Sequence, residues 1–449
     1  MSKNIGFVST RFAGIDGVSL ESGKWAEVLE LGGHKCFWFA GKLNKDPQSS
    51  YKVPQAHFKH PHNLWINEQV FEKKSRTVLV TKLIQNLTSI LKNRLQEFIE
   101  NFNLDFLIIE NALAIPLNIP LGIALSELIS ETQIPAIAHH HDFFWERSRF
   151  HGSAVNEYLD MYFPPNLPSL KHVVINSTAC EEIFRRKKIL ATVIPNVLDF
   201  NNPPCTNSDD SGEFLASFRL CPNDKTILQP TRIIKRKGIE HAIDLVKTLN
   251  GSQYKLLISH GAGDEGFEYD TWIKNYAYQR GVDLHFPHGL ISSPWDIHKS
   301  NSNGFSLWDV YAHVDFVTLP SLYEGFGNAF LEAIYYKKPV FINRYSTFIK
   351  DIEPKGFDLI TIDGRLSAQA IQHVKEILES PQKRKRMVNH NYKIAKQHYS
   401  YEVLKQKLNA IINDLFEHVR YLERSNLDEA HLDGYSDKKS GLNRVVSPP

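Results

Sequence analysis

The stretch Leu319–Ala333 combines two carboxylates with a glycine-bearing turn. An apolar strand is predicted to end at Leu319, and Glu324-Gly-Phe-Gly327 leads from it into a helix that carries Glu332. Glycines let backbone amides approach a phosphate, and a helix N-terminus favours negative charge. A carboxylate in such a turn can bind sugar hydroxyls, and one on the helix can hold a ribose diol. On spacing alone, a surface loop with a solvated glutamate is the alternative.

A basic turn, Pro230–Gly238, follows a predicted strand at Thr226–Gln229. The charge of a diphosphate must be neutralised when it departs, and arginine can do this bidentately while lysine acts as a point charge. A solvated basic turn is the alternative, and Lys235 and Arg236 are expected to be solvated.

The loop Arg11–Ser19 joins the first predicted strand to the first predicted helix and carries Gly14 and Gly17. Either glycine would let the backbone come close to a ligand. The spacing is not GxGxxG, so it gives no support to a nicotinamide site. A turn without a ligand is the alternative.

Three consecutive histidines, His139, His140 and His141, close a predicted strand and precede Asp142. Neighbouring strand residues point to opposite faces, so three in a row cannot easily meet one metal ion. The spacing is also unlike that of a zinc site. We therefore predict no metal here, and a loop of stacked polar side chains is the alternative.

Together these motifs resemble glycosyltransferase family 4, the retaining glycogen-synthase-like and sucrose-phosphate-synthase-like enzymes with the GT-B fold, over roughly Ile5 to Leu422. The family has two glutamates separated by seven residues, with Gly-Phe-Gly after the first, as at Glu324 and Glu332. The resemblance implies that Glu324 contacts the transferred sugar and Glu332 the ribose. The donor-binding residues that it implies are Gly17, Arg232, Lys237, Glu324, Gly325, Phe326, Gly327, Asn328, Ala329 and Glu332.

The resemblance also implies a catalytic set and an acceptor side. A histidine at the strand end lies near the C6 hydroxyl of the donor sugar, and His141 is our choice, with His139 and His140 left open. The implied catalytic residues are Glu324, His141, Arg232 and Lys237. The acceptor side is predicted to include Asp16, Trp145, Arg147 and Arg149, and its cations suit an acidic or phosphorylated acceptor.

One segment departs from the family pattern. After Pro339–Arg344 the family usually has small residues, whereas this chain continues with Tyr345-Ser-Thr-Phe-Ile. The base and sugar specificity is therefore expected to be unusual.

Two series of alternating strands and helices are predicted to position these motifs. Short, continuous apolar runs are typical of strands buried on both faces of a parallel sheet. The predicted fold is α/β, GT-B, with two doubly wound Rossmann-like domains facing across a cleft. The predicted limits are 1–200 for an N-terminal acceptor domain completed by a helix at about 400–423, 201–224 for a linker, 225–399 for a C-terminal donor domain, and 425–449 for a disordered tail.

Bulk properties exclude several classes of protein. The chain has 449 residues, 42% of them hydrophobic, and a formal net charge of +2, so no overall field points to nucleic acid. A run of about 18 apolar residues is absent from the sequence, so membrane contact is predicted to be peripheral at most. The four cysteines lack CxxC spacing, which favours reduced thiols and a cytoplasmic location.

The predicted function is retaining transfer of a hexose from a nucleotide-sugar, of the UDP-glucose or GDP-mannose type, to an acceptor hydroxyl. No cofactor is expected, and no metal, because the sequence offers no convincing Asp-x-Asp motif at a strand end. A small polar compound such as a glyceric acid derivative, a glycan and a lipid-linked sugar are the candidate acceptors. A nucleotide-sugar 2-epimerase of the same fold and a non-catalytic nucleotide-sugar-binding protein are the alternatives, and the oligomeric state is open.

Overall fold

A computed structural model describes residues 2–14, 16–203, 211–260, 268–286 and 307–440, with backbone alone for 211, 213 and 422–440. The chain divides into two compact units. The first comprises Met1–Phe12, Leu29–Val173 and Lys405–Pro449, and the second comprises Ala13–Val28 and Val174–Leu404. The domain limits predicted from the sequence stay predictions, because compactness alone does not define a unit that folds independently.

Strands and helices alternate along the chain. The strands are β1 (Asn4–Val8), β2 (Arg11–Phe12), β3 (Lys35–Ala40), β4 (Lys42–Leu43), β5 (Ser50–Lys52), β6 (Phe106–Glu110), β7 (Ala136–His140), β8 (Leu170–Val174), β9 (Ala191–Val193), β10 (Lys225–Gln229), β11 (Tyr254–Ile258), β12 (Leu284–His285), β13 (Phe316–Leu319), β14 (Val340–Asn343) and β15 (Ile360–Ile362). The helices are α1 (Gly17–Leu31), α2 (Pro61–Val70), α3 (Val78–Phe102), α4 (Ile119–Thr132), α5 (Asn156–Tyr162), α6 (Ser177–Lys187), α7 (Ser211–Ser217), α8 (Ile239–Leu249), α9 (Glu268–Arg280), α10 (Leu307–His313), α11 (Asn328–Tyr335), α12 (Ala368–Glu379), α13 (Pro381–Tyr399) and α14 (Tyr401–Ser440).

The main sheet of the first unit has its strands in the order β5-β3-β1-β6-β7-β8. The central strand β1 pairs in parallel with β3 and β6, and β6 pairs in parallel with β7. Every residue of β6 and β7 is buried, as expected for strands with helices on both faces. Glu110 ends β6 and His140 ends β7, so polar side chains meet at one edge of this sheet.

The sheet of the second unit runs in the order β12-β11-β10-β13-β14-β15, and its pairings are parallel. Strands β10 and β13 are hydrogen-bonded neighbours although almost ninety residues separate them in the chain. The carboxyl ends of parallel strands share one edge of a sheet, and ligands of open α/β sheets bind there. The basic turn after β10 and the glycine turn after β13 therefore emerge side by side.

The predicted α/β fold with two doubly wound sheets is confirmed. Helix α14 runs to Ser440, past the point at which the sequence predicts a disordered tail, and residues 441–449 of that tail lie outside the described residues. Of the predicted linker 201–224, residues 204–210 also lie outside them, whereas 211–217 form α7. Among the helices that the structure describes, none is both long and apolar enough to span a membrane.

Candidate functional site

The basic turn and the first glutamate of the pair meet in the second unit. The Lys237 ammonium donates a hydrogen bond to the Glu324 carboxylate, and Arg236 Nη1 lies 3.2 Å from its other oxygen. The backbone reinforces this contact, because the Leu322 amide donates to the Arg236 carbonyl at 2.8 Å. Lys237 and Glu324, both of which the family resemblance assigns to the donor site, are thus in contact. The Arg236 side chain is 41% exposed, so it faces solvent as well as this carboxylate.

Burial and charge act against each other in this pair. Burial disfavours the charged carboxylate of Glu324, but Lys237 and then Arg236 outweigh burial and lower the pKa of Glu324. The pKa of Lys237 is lowered too, chiefly by burial, although the charge of Glu324 opposes this. The charge of Arg232, an exposed residue, also lowers the pKa of Lys237. The turn therefore concentrates positive charge around one carboxylate.

Sequence analysis overlooked His260 beside this turn. It follows β11, and burial, then the charges of Arg232 and Lys237, lower its pKa. The signal available in the sequence was its position, because a polar residue that ends an apolar run in an α/β protein lies at the ligand-binding edge of the sheet.

A close backbone approach explains the glycine that ends the basic turn. Gly238 has φ +59°, and a Cβ built on it would lie 2.4 Å from the Pro320 carbonyl oxygen. Any side chain at position 238 would push the basic turn away from the segment that carries Glu324. A glycine directly after Lys237 is thus a steric requirement of this contact.

The turn that precedes α11 is held by side chains from other segments. The Asn176 side-chain amide donates to the Gly325 carbonyl at 2.7 Å, and the Asn196 amide donates to Asn328 Oδ1 at 2.5 Å. Gly327, with φ +103°, caps the helix, which begins at Asn328. The first amides of a helix have no acceptor within it, so this terminus can receive an anion.

Glu332 is on the first turns of α11 and is oriented by a buried tyrosine. Tyr311 Oη donates to Glu332 Oε2 at 3.1 Å. Burial raises the pKa of Glu332, and the charge of Lys24 partly opposes that effect. Lys24 lies on α1 and donates to Glu21 and to the Val197 carbonyl. Neither Lys24 nor Tyr311 was singled out from the sequence.

Both glycines of the N-terminal loop, Gly14 and Gly17, belong to the second unit. Gly17 begins α1, and a Cβ on it would come no closer than 3.8 Å to Asn328, so space would remain for a side chain. Asp16 accepts hydrogen bonds from the amide and the hydroxyl of Ser19. These bonds are typical of a residue that caps a helix, and the acceptor role of Asp16 stays a prediction.

In the first unit, Glu110 joins two of the three histidines. His139 Nδ1 and His141 Nε2 lie 3.0 Å and 3.2 Å from the same Glu110 oxygen. Burial works against the carboxylate, but the two histidines outweigh it and lower the pKa of Glu110 to about 2. His140 points to the other face, where it lies 2.9 Å from His172.

These three side chains could hold a metal ion, because one donor atom from each lies within 4.8 Å of the others. The strand alternation that separates consecutive histidines brings the first and third together, and Glu110 from the adjacent strand completes the set. The prediction of no metal rests on three histidines in a row and leaves out Glu110, so it does not cover this grouping. The predicted absence of a metal stays a prediction.

The residues predicted on the acceptor side, apart from Asp16, lie in the first unit. Arg147 Nε donates to Asp142 at 2.7 Å, so an internal carboxylate already binds this guanidinium. Arg149 stacks on Phe150 at 4.6 Å, and Trp145 stacks on Phe143 at 4.3 Å. Burial, then the charge of Arg147, lower the pKa of Arg149, and the charge of Asp142 opposes this. The acceptor roles of Trp145, Arg147 and Arg149 stay predictions.

Two sheets of parallel strands, with cations and a helix N-terminus gathered at one strand edge, are typical of the GT-B class of nucleotide-sugar glycosyltransferases. Residues 212–394 match the family described as glycosyl transferases group 1. The chain belongs to this family: it is 34% identical over 434 residues to mannosylglucosylglycerate synthase of Thermotoga maritima, covering 88% of this chain and 96% of that protein. It is 33% identical over 395 residues to the synthase of the same name from Petrotoga mobilis, covering 80% of this chain and 87% of that protein.

A solved structure agrees on the fold. HepE of Anabaena, in complex with UDP and glucose, has a TM-score of 0.61 at 14% identity and covers 92% of this chain and 100% of its own. Because the chain belongs to the glycosyl transferases group 1 family and is 34% identical to a mannosylglucosylglycerate synthase, it is a hexosyltransferase that takes its sugar from a nucleotide-sugar donor. The epimerase and the non-catalytic alternatives are not favoured by these relatives.

Proposed function

We propose that this enzyme transfers a mannosyl group from a nucleotide-mannose donor to a hydroxyl of glucosylglycerate, with retention of anomeric configuration and without a metal ion. The observation that carries the proposal is the similarity over 96% of the length of a mannosylglucosylglycerate synthase. Of the two donor types predicted from the sequence, the GDP-mannose type fits a product with a terminal mannose. Among the predicted acceptors, the glyceric acid derivative is the one that agrees with the name of this relative.

The second unit supplies the charge that such a transfer requires. The departing nucleoside diphosphate carries negative charge, and Arg232, Lys237 and the amides that open α11 neutralise it in place of a metal ion. Glu324, kept ionised by Lys237, accepts hydrogen bonds from hydroxyls of the transferred sugar. No side chain acts as nucleophile, and the departing phosphate assists the acceptor hydroxyl.

Arg149 supports an acidic acceptor. Its neighbour Arg147 is hydrogen-bonded to Asp142. Burial and the like charge of Arg147 lower the pKa of Arg149, and the charge of Asp142 only partly opposes this. A carboxylate would relieve this repulsion and form charge-assisted hydrogen bonds. The glycerate end of the acceptor provides such a carboxylate, and a phosphorylated glycerate is the second candidate because it is also an anion.

The test is a matrix of donors and acceptors. The enzyme is incubated with GDP-mannose or UDP-glucose, each with glucosylglycerate or its 3-phosphorylated form, and the products are identified by mass spectrometry. Mannosylglucosylglycerate is the expected product, and the one-bond carbon–proton coupling of its new anomeric centre reports the configuration. Glucosyl transfer only, or transfer only to the phosphorylated acceptor, would contradict the proposal.

A further inference from the structure

Tyr345 lies where the sequence departs from the family pattern, and its hydroxyl bonds to the glycine turn. It follows β14, is 3% exposed, and donates from its hydroxyl to the Phe326 carbonyl at 3.0 Å. Its own amide donates to the Asn343 carbonyl at 3.0 Å. The ring is therefore held at its base by β14 while its hydroxyl reaches the turn between Glu324 and α11.

The contact between Tyr345 and the turn is tight. A Cβ on Gly327 would lie 2.8 Å from the Tyr345 hydroxyl, and Gly327 has φ +103°. Burial, and then the charge of Glu324, raise the pKa of Tyr345 well above its usual range. The hydroxyl is therefore protonated at any working pH and acts as a permanent donor to the carbonyl.

Fixing this carbonyl also fixes an amide. A trans peptide unit is planar, so its C=O and N–H point in opposite directions. The bond from Tyr345 to the Phe326 carbonyl thus turns the Gly327 N–H to the opposite side of the chain. Asn176 holds the Gly325 carbonyl in the same way, which fixes the direction of the Phe326 N–H one peptide earlier. Two consecutive amides are aimed in this way, directly before the unpaired first amides of α11.

We propose that Tyr345 is a positioning residue for the donor diphosphate: by holding the Phe326 carbonyl, it directs the Gly327 N–H at the phosphate distal to the nucleoside. The inference rests on the nucleotide-sugar chemistry of the family and on the phosphate contacts assigned to this turn under the proposed function. It extends them by giving the large side chain at position 345 a task that the family pattern lacks.

The experiment compares nucleotides that differ by one phosphate. The affinities of GDP and GMP, and of UDP and UMP, are measured by calorimetry for the unmodified protein and for Tyr345→Phe. We expect the diphosphate to bind about tenfold more weakly to the variant, as the loss of one net hydrogen bond would cause, with the monophosphate far less affected. Tyr392→Phe is the matched control, because it removes a hydroxyl that donates to the Phe200 carbonyl, also at 3.0 Å.

The ratio of the two affinities decides the outcome. An equal loss for diphosphate and monophosphate, or the same change in Tyr392→Phe, would overturn the proposal and leave Tyr345 a structural residue. If Tyr345→Phe fails to fold, Gly327→Ala displaces the Tyr345 hydroxyl instead and is compared with Gly356→Ala, which has a positive φ but no atom within 4 Å of the added Cβ. A selective loss of diphosphate affinity in Gly327→Ala that Gly356→Ala lacks is expected, and its absence would overturn the proposal. A wrong acceptor or sugar would appear in the transfer assay of the unmodified enzyme and would leave this ratio unchanged.

Discussion

Lys237 and Glu324 form an ion pair with 11% and 15% of their side chains exposed, although they stand in turns that follow different strands. They meet because β10 and β13 are neighbours in the sheet and both turns leave at its carboxyl edge. The charge of each side chain offsets the cost of burying the opposite charge of the other. The pair is thus both a link between two loops and a charged element of the donor site.

Removing the charge of Lys237 tests that double role. In Lys237→Met the apolar stem is kept, Glu324 keeps Arg236 as its neighbouring cation, and the developing charge of the diphosphate loses one cation. We expect kcat to fall by about 10²–10³-fold, and the free energy of unfolding to fall by about 1–3 kcal/mol because Glu324 loses a partner.

Lys235→Met is the matched control for this change. Lys235 lies in the same short turn, but its side chain is exposed. Steady-state kinetics and urea unfolding of the two variants check the prediction. An equal fall in kcat in Lys237→Met and Lys235→Met would mean that Lys237 contributes only its positive charge to the site and not a specific contact.

Gly238 should be intolerant of any side chain. Gly238→Ala places a methyl group against the Pro320 carbonyl and also strains a backbone with φ +59°. We expect the basic turn to shift and transfer to slow strongly. Gly356→Ala is the control, because it has φ +82° but no atom within 4 Å of the added Cβ.

Thermal unfolding and kinetics of both glycine variants separate backbone strain, which both share, from the steric clash with Pro320, which only Gly238→Ala has. A positive φ costs a non-glycine residue about 1–2 kcal/mol, so both should lose some stability. A comparable loss of activity in Gly356→Ala would show that the contact with Pro320 is not the cause.

Elements with a clear period could be predicted from the sequence. A compact apolar run predicts a strand at Lys35–Ala40, and one regular apolar stripe predicts a helix at Ile239–Leu249. The strand β3 and the helix α8 have these bounds. Helix α4 was missed because it is buried on nearly all sides and shows no polar face. Helix α6 was missed because it is mostly exposed and Ile183 is its one buried residue, so it shows no apolar stripe. Its N-cap, Asn176, is the main signal in the sequence.

The site shows the same limit. Glu324 and Lys237 were found because each belongs to a local motif, whereas Glu110, Tyr311 and Tyr345 act through partners that are distant in sequence. Only the strand order tells which loops meet, and a single sequence does not carry it. Glu110 still offered a signal that was not used, since it is a charged residue that ends a fully buried apolar strand.

Glu332 should give donor binding a dependence on pH. Burial raises its pKa, so the folded protein takes up this proton at a higher pH than an ordinary glutamate. A protonated carboxyl group accepts hydrogen bonds from a ribose diol poorly. We therefore expect KM for the donor to rise on acidification from pH 7 to 5, and Glu332→Gln to abolish most of this dependence while raising KM at pH 7.

An exposed glutamate of the same unit provides the reference. Glu379 lies near the C-terminus of α12, and Glu379→Gln should keep the pH dependence of the unmodified enzyme. Donor KM at several pH values checks this. A pH dependence unchanged in Glu332→Gln would assign it to another group.

Removal of metal ions tests the proposed charge neutralisation. If Arg232, Lys237 and the helix amides suffice for the diphosphate, exhaustive chelation should leave the transfer rate unchanged. Loss of activity that magnesium or manganese restores would contradict this. In that case, Glu110→Gln would show whether the ion is bound by Glu110, His139 and His141, because the carboxamide is a poor ligand and metal affinity should fall with it.

His172 should make the first unit sensitive to acid. Burial lowers its pKa to about 4, and burial also lowers the pKa of His140, to which it is hydrogen-bonded. The pKa of an unfolded histidine is about 6.5. Between pH 6.5 and 4, His172 is therefore protonated in the unfolded chain but neutral in the folded protein. The contribution of His172 to the free energy of unfolding is therefore fully present above pH 6.5 and falls on acidification, by up to about 3 kcal/mol.

Urea unfolding at pH 7, 5.5 and 4.5 should show this loss. The variant His172→Gln should reduce the loss, whereas His62→Gln, at an exposed position, should not. A loss of the same size in His172→Gln would mean that other groups cause the acid sensitivity.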